Sequence, residues 1–159
     1  MSGSALREHL LTLLDGKGAH LPFGEAAAKF PPELRGIKPS GAPHTAWQLL
    51  EHLRFTQWDL LEFSRNPHYR EPKWPEDYWP SSGAPPDPHA WDLSVAAYES
   101  DLAAVKALVA NPERDLLAPY PEAFGKPLLR NVLILADHNS YHIGQLVFLL
   151  RQLEATAGK

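Results

Sequence analysis

The longest apolar run of the sequence, from Leu128 to Leu153, contains no proline. Proline breaks helices because it lacks an N–H and its ring clashes with the preceding turn, so an uninterrupted run of this length predicts one long helix. Apolar residues cover most of its circumference: Leu129, Leu133, Ile143, Val147 and Leu150 lie on one side, and Leu128, Val132, Leu135, Leu146 and Leu149 on another. Such a helix either lies at the centre of a protein or pairs with a second copy of itself.

Three more long helices are predicted upstream of this one. They run from a Ser4 N-cap to Gly16, from a Thr45 N-cap to about Phe63 with Asn66-Pro67 closing the helix, and from an Asp87 N-cap with Pro88 at the first position to Asn111-Pro112. Thr45 and Gln48 form a capping-box pattern, which fixes the start of the second helix most sharply. In the third helix, apolar residues recur at alternating spacings of four and three from Trp91 to Val109, the pattern of a helix-bundle seam.

Two long connections separate these helices. The segment from Ala19 to Pro43 is interrupted by prolines and glycines and leaves room for a short helix over Glu25–Phe30. The segment Pro67–Pro88 alternates prolines with aromatic residues, a composition that neither a helix nor a central strand tolerates. Loops of this length usually cover something, so the stretch from Trp74 to Trp79 is interpreted either as a lid over a site or as a structural plug.

Four long helices, two long crossover connections and no convincing strand predict an all-α four-helix bundle. A chain of 159 residues is long enough to bury a core of its own, and a single domain over residues 1–159 is expected.

Composition excludes several classes of function. The net charge is −4 and there is no Lys/Arg cluster that could track a phosphate backbone, which argues against nucleic-acid binding. The absence of cysteine excludes disulfides, thiolate metal ligands and a Cys nucleophile. Charged and amide residues within the last helix, such as Arg130 and Asp137, argue against a membrane span. With no signal-peptide pattern at the N-terminus, a cytoplasmic protein is expected.

Three of the eight histidines are candidates for one metal site. His138 and His142 are four residues apart and therefore share a face of the last helix. His52 lies beside the apolar stripe of the second helix, and helix bundles build metal sites from inward residues on facing helices. The alternative is that these are hydrogen-bonded core histidines, which are common, and spacing alone does not decide between the two interpretations.

Two segments carry a family resemblance: Trp47-Gln48-Leu49-Leu50-Glu51-His52-Leu53, and Asp137-His138-Asn139-Ser140-Tyr141-His142-Ile143-Gly144-Gln145-Leu146. Together they resemble the DinB-like superfamily, which includes YfiT-type metalloproteins and bacterial thiol-dependent transferases. The resemblance implies a four-helix bundle, a divalent metal held by His52, His138 and His142, and a homodimer in many cases. All three ligand positions are histidine in this chain.

Three neutral histidines leave at least one metal coordination position open, which is typical of catalytic sites. Imidazole suits several metals, and zinc or nickel is the leading expectation. A zincin protease is excluded because position 139 is Asn, where that mechanism needs Glu. The weak candidates for a base or for a residue that orients an imidazole are Glu51, Asp59, Asp137 and Asn139, and each of them could equally have a solvated or capping role.

Two functional hypotheses follow. In the first, the protein is a metal-dependent enzyme that activates water or a small thiol and acts on a small-molecule substrate. In the second, it is a non-catalytic dimeric or stress-associated bundle whose histidines and metal stabilise the fold. An open metal position with a pocket beneath the Trp74–Trp79 segment would favour the first hypothesis, and a closed site would favour the second.

Overall fold

The computed structural model describes residues 2–157, which form five α-helices and one small hairpin. The helices are α1 (Ser2–Leu14), α2 (Phe23–Ala28), α3 (Ala46–Arg65), α4 (Ala90–Ala110) and α5 (Leu128–Ala157), and the strands are β1 (Pro119–Tyr120) and β2 (Lys126–Pro127). The all-α four-helix bundle predicted from the sequence is confirmed, with α1, α3, α4 and α5 as its long helices.

Helix α3 packs against both α4 and α5, and α1 and α2 also pack against α4 and α5. The apolar faces meet in two clusters along the bundle. One includes Leu50, Leu53 and Leu146 and also takes in residues of α2. The other includes Leu61 and Val132 and also takes in residues of α1. Because α3 and α5 each bury one face along most of their length, any polar side chain on their facing sides is held inside the protein.

The start of α3 is fixed by the predicted capping box. The Gln48 N–H donates to the Thr45 hydroxyl oxygen at 3.2 Å, and the Thr45 N–H donates to the Gln48 side-chain oxygen at 3.1 Å. The Thr45 hydroxyl in turn donates to the carbonyl of Gly83 at 2.6 Å. The cap therefore also fastens the second long connection, residues 66–89, to the N-terminus of α3.

Several predicted boundaries were wrong by a few residues. Helix α1 begins at Ser2, since nothing before Ser4 stops a helical backbone, and α2 begins at Phe23, directly after Pro22. Helix α4 begins at Ala90, later than the predicted N-cap Asp87 implies. The Asp87 carboxylate nevertheless accepts hydrogen bonds from the N–H groups of His89 and Ala90. At the other ends, α3 continues to Arg65 and α5 to Ala157. Helix ends fray, and sequence patterns locate them poorly.

Two further expectations differ from the structure. Strands β1 and β2 pair antiparallel as a hairpin in the connection before α5, but two-residue strands are too short to produce an alternating pattern. A glycine inside a helix, such as Gly144, most simply permits close approach of a neighbouring helix, yet a Cβ placed there would meet no atom within 4 Å. Within residues 2–157, no helix is long and apolar enough to cross a membrane.

Candidate metal centre

Helices α3 and α5 bring His52, His138 and His142 together. The ring centroids of His138 and His142 are 4.5 Å apart, as expected for residues one turn apart on a helix, and the His52 ring lies 4.9 Å and 4.6 Å from them. One ring nitrogen from each residue can be chosen so that all three lie within 4.8 Å of one another. The histidine cluster predicted from the sequence is therefore present, and its geometry could hold one metal ion.

Hydrogen bonds orient two of the three rings. His52 Nδ1 lies 3.0 Å from the carbonyl oxygen of Tyr78, and His142 Nδ1 lies 2.9 Å from the side-chain oxygen of Gln145. Because these oxygens only accept, both Nδ1 atoms carry the proton and donate it, which leaves each Nε2 with a free lone pair. This is the tautomer in which Nε2 can coordinate a metal.

The third ring shows an incomplete set of hydrogen bonds. His138 Nε2 lies 3.0 Å from His52 Nε2, and within residues 2–157 the buried His138 Nδ1 has no hydrogen-bond partner. Hydrogen bonding inside the protein thus satisfies the His138 ring only in part. Nitrogen ligands about 2.0–2.1 Å from one metal ion lie roughly 3 Å from each other, which is close to the observed Nε2–Nε2 separation. The three residues fit a shared metal ion.

Burial keeps the three imidazoles neutral. Burial is the main cause that lowers the pKa of His52 to about 4 and that of His138 to about 3, and the neighbouring His142 contributes to both shifts. The hydrogen bond to Tyr78 opposes this effect for His52 without overcoming it. Burial also lowers the pKa of His142. Neutral imidazole is the form that binds metal, so the cluster requires no deprotonation at neutral pH.

The 66–89 connection forms an aromatic wall over the cluster. The Trp79 ring stacks on His52 with 3.8 Å between centroids and 6° between planes, and the His44 ring stacks against Trp79 at 3.8 Å and 12°. Trp74 lies further out, 6.4 Å from the His52 ring, and is 66% exposed. The connection therefore packs down on the site, with Trp79 as its inner face.

Asp59 anchors this wall instead of contacting a histidine. Its two carboxylate oxygens accept hydrogen bonds from the hydroxyls of Tyr69, at 2.5 Å, and Tyr78, at 2.8 Å. Burial and these bonds to Asp59 raise the pKa of both tyrosines, so both hydroxyls stay protonated as donors. Among the described residues, these two hydroxyls are the hydrogen-bond donors to the Asp59 carboxylate, and no imidazole is bonded to it. Asp59 is linked to His52 through Tyr78, whose carbonyl oxygen lies 3.0 Å from His52 Nδ1.

The other weak catalytic candidates have structural contacts. Glu51 accepts from Arg54 at 2.8 Å and from the Ser94 hydroxyl at 2.5 Å, and although burial raises its pKa, these bonds outweigh that effect and lower it. The Glu51 carboxylate therefore links α3 to α4 through the Ser94 hydroxyl. Asp137 is exposed on the surface of α5.

Asn139 lies in the core between three helices. Its Nδ2 donates to Gln57 at 3.0 Å, and Gln57 Nε2 donates to the Tyr98 carbonyl at 2.5 Å. Its side chain lies close enough to His138 to raise the pKa of that ring slightly. Within residues 2–157, however, Asn139 Oδ1 makes no hydrogen bond of normal geometry. Asn139 therefore belongs to a buried amide network beside the cluster.

Two groups that hold the histidine rings in place were not predicted from the sequence. Gln145 was seen only as part of the motif, although a residue three positions after His142 lies on the same helix face and is a natural partner for it. The Tyr78 carbonyl could not have been found, since a backbone atom of an irregular connection leaves no sequence signal.

A shallow groove adjoins the cluster on the side of His44 and Gln145. Its volume is about 180 Å³, and its lining contains no charged side chain. The lining residues are Gly41, Ala42, Pro43, His44, Leu49, Gln145, Phe148, Leu149 and Gln152. Gln145 is shared between the groove and the cluster, because its side-chain oxygen holds His142.

Residues 23–146 match the family model of the DinB superfamily. The match begins in α2, ends in α5 and includes all three clustered histidines. The chain belongs to the DinB superfamily. No curated protein and no solved structure matches it.

Proposed function

We propose that this DinB superfamily protein is a metal-dependent enzyme of transferase or hydrolase type, acting through a divalent ion held by His52, His138 and His142. The observation that carries the proposal is the donor set. Three neutral histidines converge, and within the described residues no carboxylate joins them as a fourth ligand. Structural zinc sites usually have four protein ligands, whereas catalytic sites keep one position for water or substrate.

When bound, a divalent ion such as zinc or nickel lowers the pKa of a bound water or thiol and so supplies a nucleophile at neutral pH. Residues around the cluster orient and cover the histidines that would hold the ion. The Tyr78 carbonyl and the Gln145 side chain fix the tautomers of His52 and His142. Trp79 covers the His52 ring and keeps water away from that side.

The groove beside Gln145 supports a small-molecule substrate with an uncharged, largely apolar portion. Its apolar lining includes Leu49, Phe148 and Leu149, and its polar groups are one imidazole and two amides. A ligand in this groove would lie next to the side chain that holds His142. Specific pockets typically combine an apolar lining with a few polar groups in this way.

A non-catalytic metal-binding bundle is the second candidate, and the cover over His52 favours it. His52 is 3% exposed and His142 is 8% exposed. A metal enclosed by the Trp79 wall with no room for a further ligand would stabilise α3 against α5 and do no chemistry.

Ligand exchange at the metal distinguishes the two candidates. We would load the protein with cobalt(II), whose visible spectrum reports coordination, and titrate it with azide and with a small thiol such as 2-mercaptoethanol. The enzyme proposal predicts new absorption bands with the thiol at millimolar concentration. An unchanged spectrum with both ligands would contradict it and favour the structural site. Cobalt added to His142→Ala protein is the matched control, and it should show only the spectrum of free cobalt.

A further inference from the structure

A cavity of about 100 Å³ lies on the side of α5 that is turned away from the clustered histidines. It is enclosed by α5, α4, the C-terminal end of α1 and the N-terminal end of α2. Ser140, which lines it, is two positions from both His138 and His142, and a turn of about 100° per residue places its side chain on the opposite side of the helix. We call this space the Ser140 cavity. The proposed metal chemistry makes no use of it.

The Ser140 hydroxyl faces two hydrogen-bond acceptors with a single hydrogen. Its Oγ lies 2.7 Å from the Ala136 carbonyl oxygen and 3.0 Å from His20 Nε2. His20 Nδ1 lies 3.0 Å from the Leu21 carbonyl oxygen, which only accepts, so a neutral His20 ring carries its proton on Nδ1 and Nε2 is an acceptor. Whichever acceptor the Ser140 hydroxyl serves, the other one lacks a donor. The His20–Ser140 pair therefore has room for a donor from a bound molecule.

Two further polar side chains, those of Tyr98 and Glu99, line the same cavity. Tyr98 is only 2% exposed, and within residues 2–157 its hydroxyl makes no hydrogen bond. Burial and the neighbouring Glu99 carboxylate raise the pKa of Tyr98, so this hydroxyl stays protonated. A buried hydroxyl without a partner is unfavourable, and few such groups occur in folded proteins. A ligand bound in the cavity would supply the missing partner.

The charges of the lining favour a cation. Asp15 and Glu99 are its charged residues, and Asp15 is already paired with Lys106. Within residues 2–157, Glu99 has no ion-pair partner. A Cβ at Gly24 would lie 2.9 Å from Glu99 Oε1, so the missing side chain of Gly24 leaves the space that this carboxylate occupies at the cavity. A water molecule in the cavity would satisfy hydrogen bonds there, but it would not neutralise the Glu99 charge.

We propose that the Ser140 cavity binds a small primary alkylammonium ion whose charged group pairs with Glu99. An ammonium group has three N–H donors and no acceptor. Three acceptors line the cavity to receive them: the His20–Ser140 pair, the Tyr98 hydroxyl oxygen and the Glu99 carboxylate. The alkyl chain then lies against the apolar part of the lining, which includes Leu13, Leu14, Phe23, Leu102 and Ile143. One ligand thus satisfies both the unpartnered acceptors and the uncompensated charge.

The volume and charge of the cavity restrict the ligand. About 100 Å³ holds several water-sized groups, so a molecule of roughly four to six non-hydrogen atoms fits, such as n-butylammonium. A carboxylate of the same size would meet the like charge of Glu99. The site does not depend on the metal centre. It can be tested on metal-free protein, where no amine can bind to a metal ion instead, and its failure would leave the functional proposal standing.

Amide chemical shifts of ¹⁵N-labelled, metal-free protein, followed during titration with n-butylammonium chloride at pH 7.5, test the proposal. We expect saturable shifts at amides around the cavity, such as those of Gly24, Leu102 and Ser140, with a Kd of about 1–10 mM for so small a ligand. The uncharged 1-butanol has the same length and should bind at least about fivefold more weakly. Butyrate should cause no saturable shifts at these amides.

Two variants test the named contacts. Glu99→Gln removes the charge and should weaken butylammonium binding by about threefold or more. His20→Phe keeps a ring but removes its nitrogens and should weaken binding by about fivefold. Glu113→Gln, at an exposed glutamate after α4, is the matched control and should leave the Kd unchanged. Circular dichroism establishes that each variant is folded. No saturable shifts with butylammonium, equally tight binding of 1-butanol or butyrate, or a Glu99→Gln variant that binds as wild type does would each overturn the proposal.

Discussion

His52 Nδ1 lies 3.0 Å from the carbonyl oxygen of Tyr78, which joins a buried helix residue to an irregular connection 26 positions later in the chain. The contact fixes the His52 tautomer and presents Nε2 to the other two histidines. The Tyr78 hydroxyl is in turn held by Asp59 at 2.8 Å. Asp59, Tyr78 and His52 thus form a chain of contacts that ends at the candidate metal centre.

Tyr78→Phe should weaken metal binding. Removing the hydroxyl leaves Tyr69 as the remaining tyrosine bonded to Asp59, and the backbone at Tyr78, whose carbonyl accepts from His52, is then held less firmly. Loss of such outer contacts typically lowers metal affinity by about 10- to 100-fold. Competition with a chromophoric chelator would measure the change. Tyr120→Phe removes a tyrosine hydroxyl bonded to the Asp115 carbonyl elsewhere and should leave affinity unchanged. Equal affinities for wild type and Tyr78→Phe would contradict the role of this contact.

Trp79 should report metal binding by fluorescence. Its ring is stacked on His52 at 3.8 Å, so nickel, copper or cobalt bound to His52 would quench its emission at short range. We expect titration with nickel to reduce the tryptophan signal of wild type and to have much less effect on Trp79→Phe. Trp58→Phe, which removes a tryptophan packed against Phe55, is the matched control and should keep the quenching. Quenching that persists in Trp79→Phe but disappears in Trp58→Phe would place the metal elsewhere.

The metal-free protein should lose stability as the pH falls from 7 towards 4. An unfolded histidine titrates near 6.5, whereas burial lowers the pKa of His52 to about 4 and that of His138 to about 3. Between these values the unfolded state binds protons that the folded state does not. Each such group therefore lowers the free energy of unfolding by up to about 1.4 kcal/mol per pH unit as the pH drops.

Urea unfolding of wild type and His138→Gln at pH 7, 6 and 5 separates this effect from other titrating groups. The variant has one fewer buried histidine, so its stability should fall less steeply with decreasing pH. His89→Gln changes an exposed histidine and should retain the wild-type slope. If the free energy of unfolding of His138→Gln fell as steeply with decreasing pH as that of wild type, the His138 ring would not be held neutral in the folded protein.

Asn139→Ala should destabilise the fold. The change removes the donor to Gln57 Oε1, a side chain that is fully buried, and leaves that oxygen without its partner. Such a loss costs about 1–3 kcal/mol, measurable by urea unfolding of metal-free protein. Asp137→Ala, one residue earlier and exposed, should change stability by no more than about 0.5 kcal/mol. If the two variants were equally stable, the buried amide network would not contribute as described.

The bundle and the histidine cluster were predictable from the sequence because both follow from helical periodicity. Four apolar stripes define the helices, and two histidines one turn apart define a shared face. His52 could be chosen from the remaining histidines because it flanks an apolar stripe of a helix that must pack inward. The family resemblance added the assignment of these three residues as ligands.

The surroundings of the cluster were not predictable to the same degree. Asp59 was one of four weak candidates for a base or for a residue that orients an imidazole, and the structure shows that two tyrosines from an irregular connection donate to its carboxylate. The path of residues 66–89 depends on contacts such as the hydrogen bond from Thr45 to Gly83, which no local pattern encodes. Asn139 was another of the weak candidates, but a helix turns by about 100° per residue, and this turn directs the side chain that follows His138 into the core.

Metal content is the most direct test of the central claim that His52, His138 and His142 form one metal site. Tag-free wild type and the variants His52→Ala, His138→Ala and His142→Ala would be dialysed against zinc and against nickel, freed of excess metal and analysed for elements, with His68→Ala as a control in an exposed histidine. We expect about one equivalent of a single metal in wild type and in His68→Ala, and its loss in the other three variants while circular dichroism shows them folded. Wild-type protein without stoichiometric metal, or histidine-cluster variants that keep it, would show that these three residues do not form a metal site.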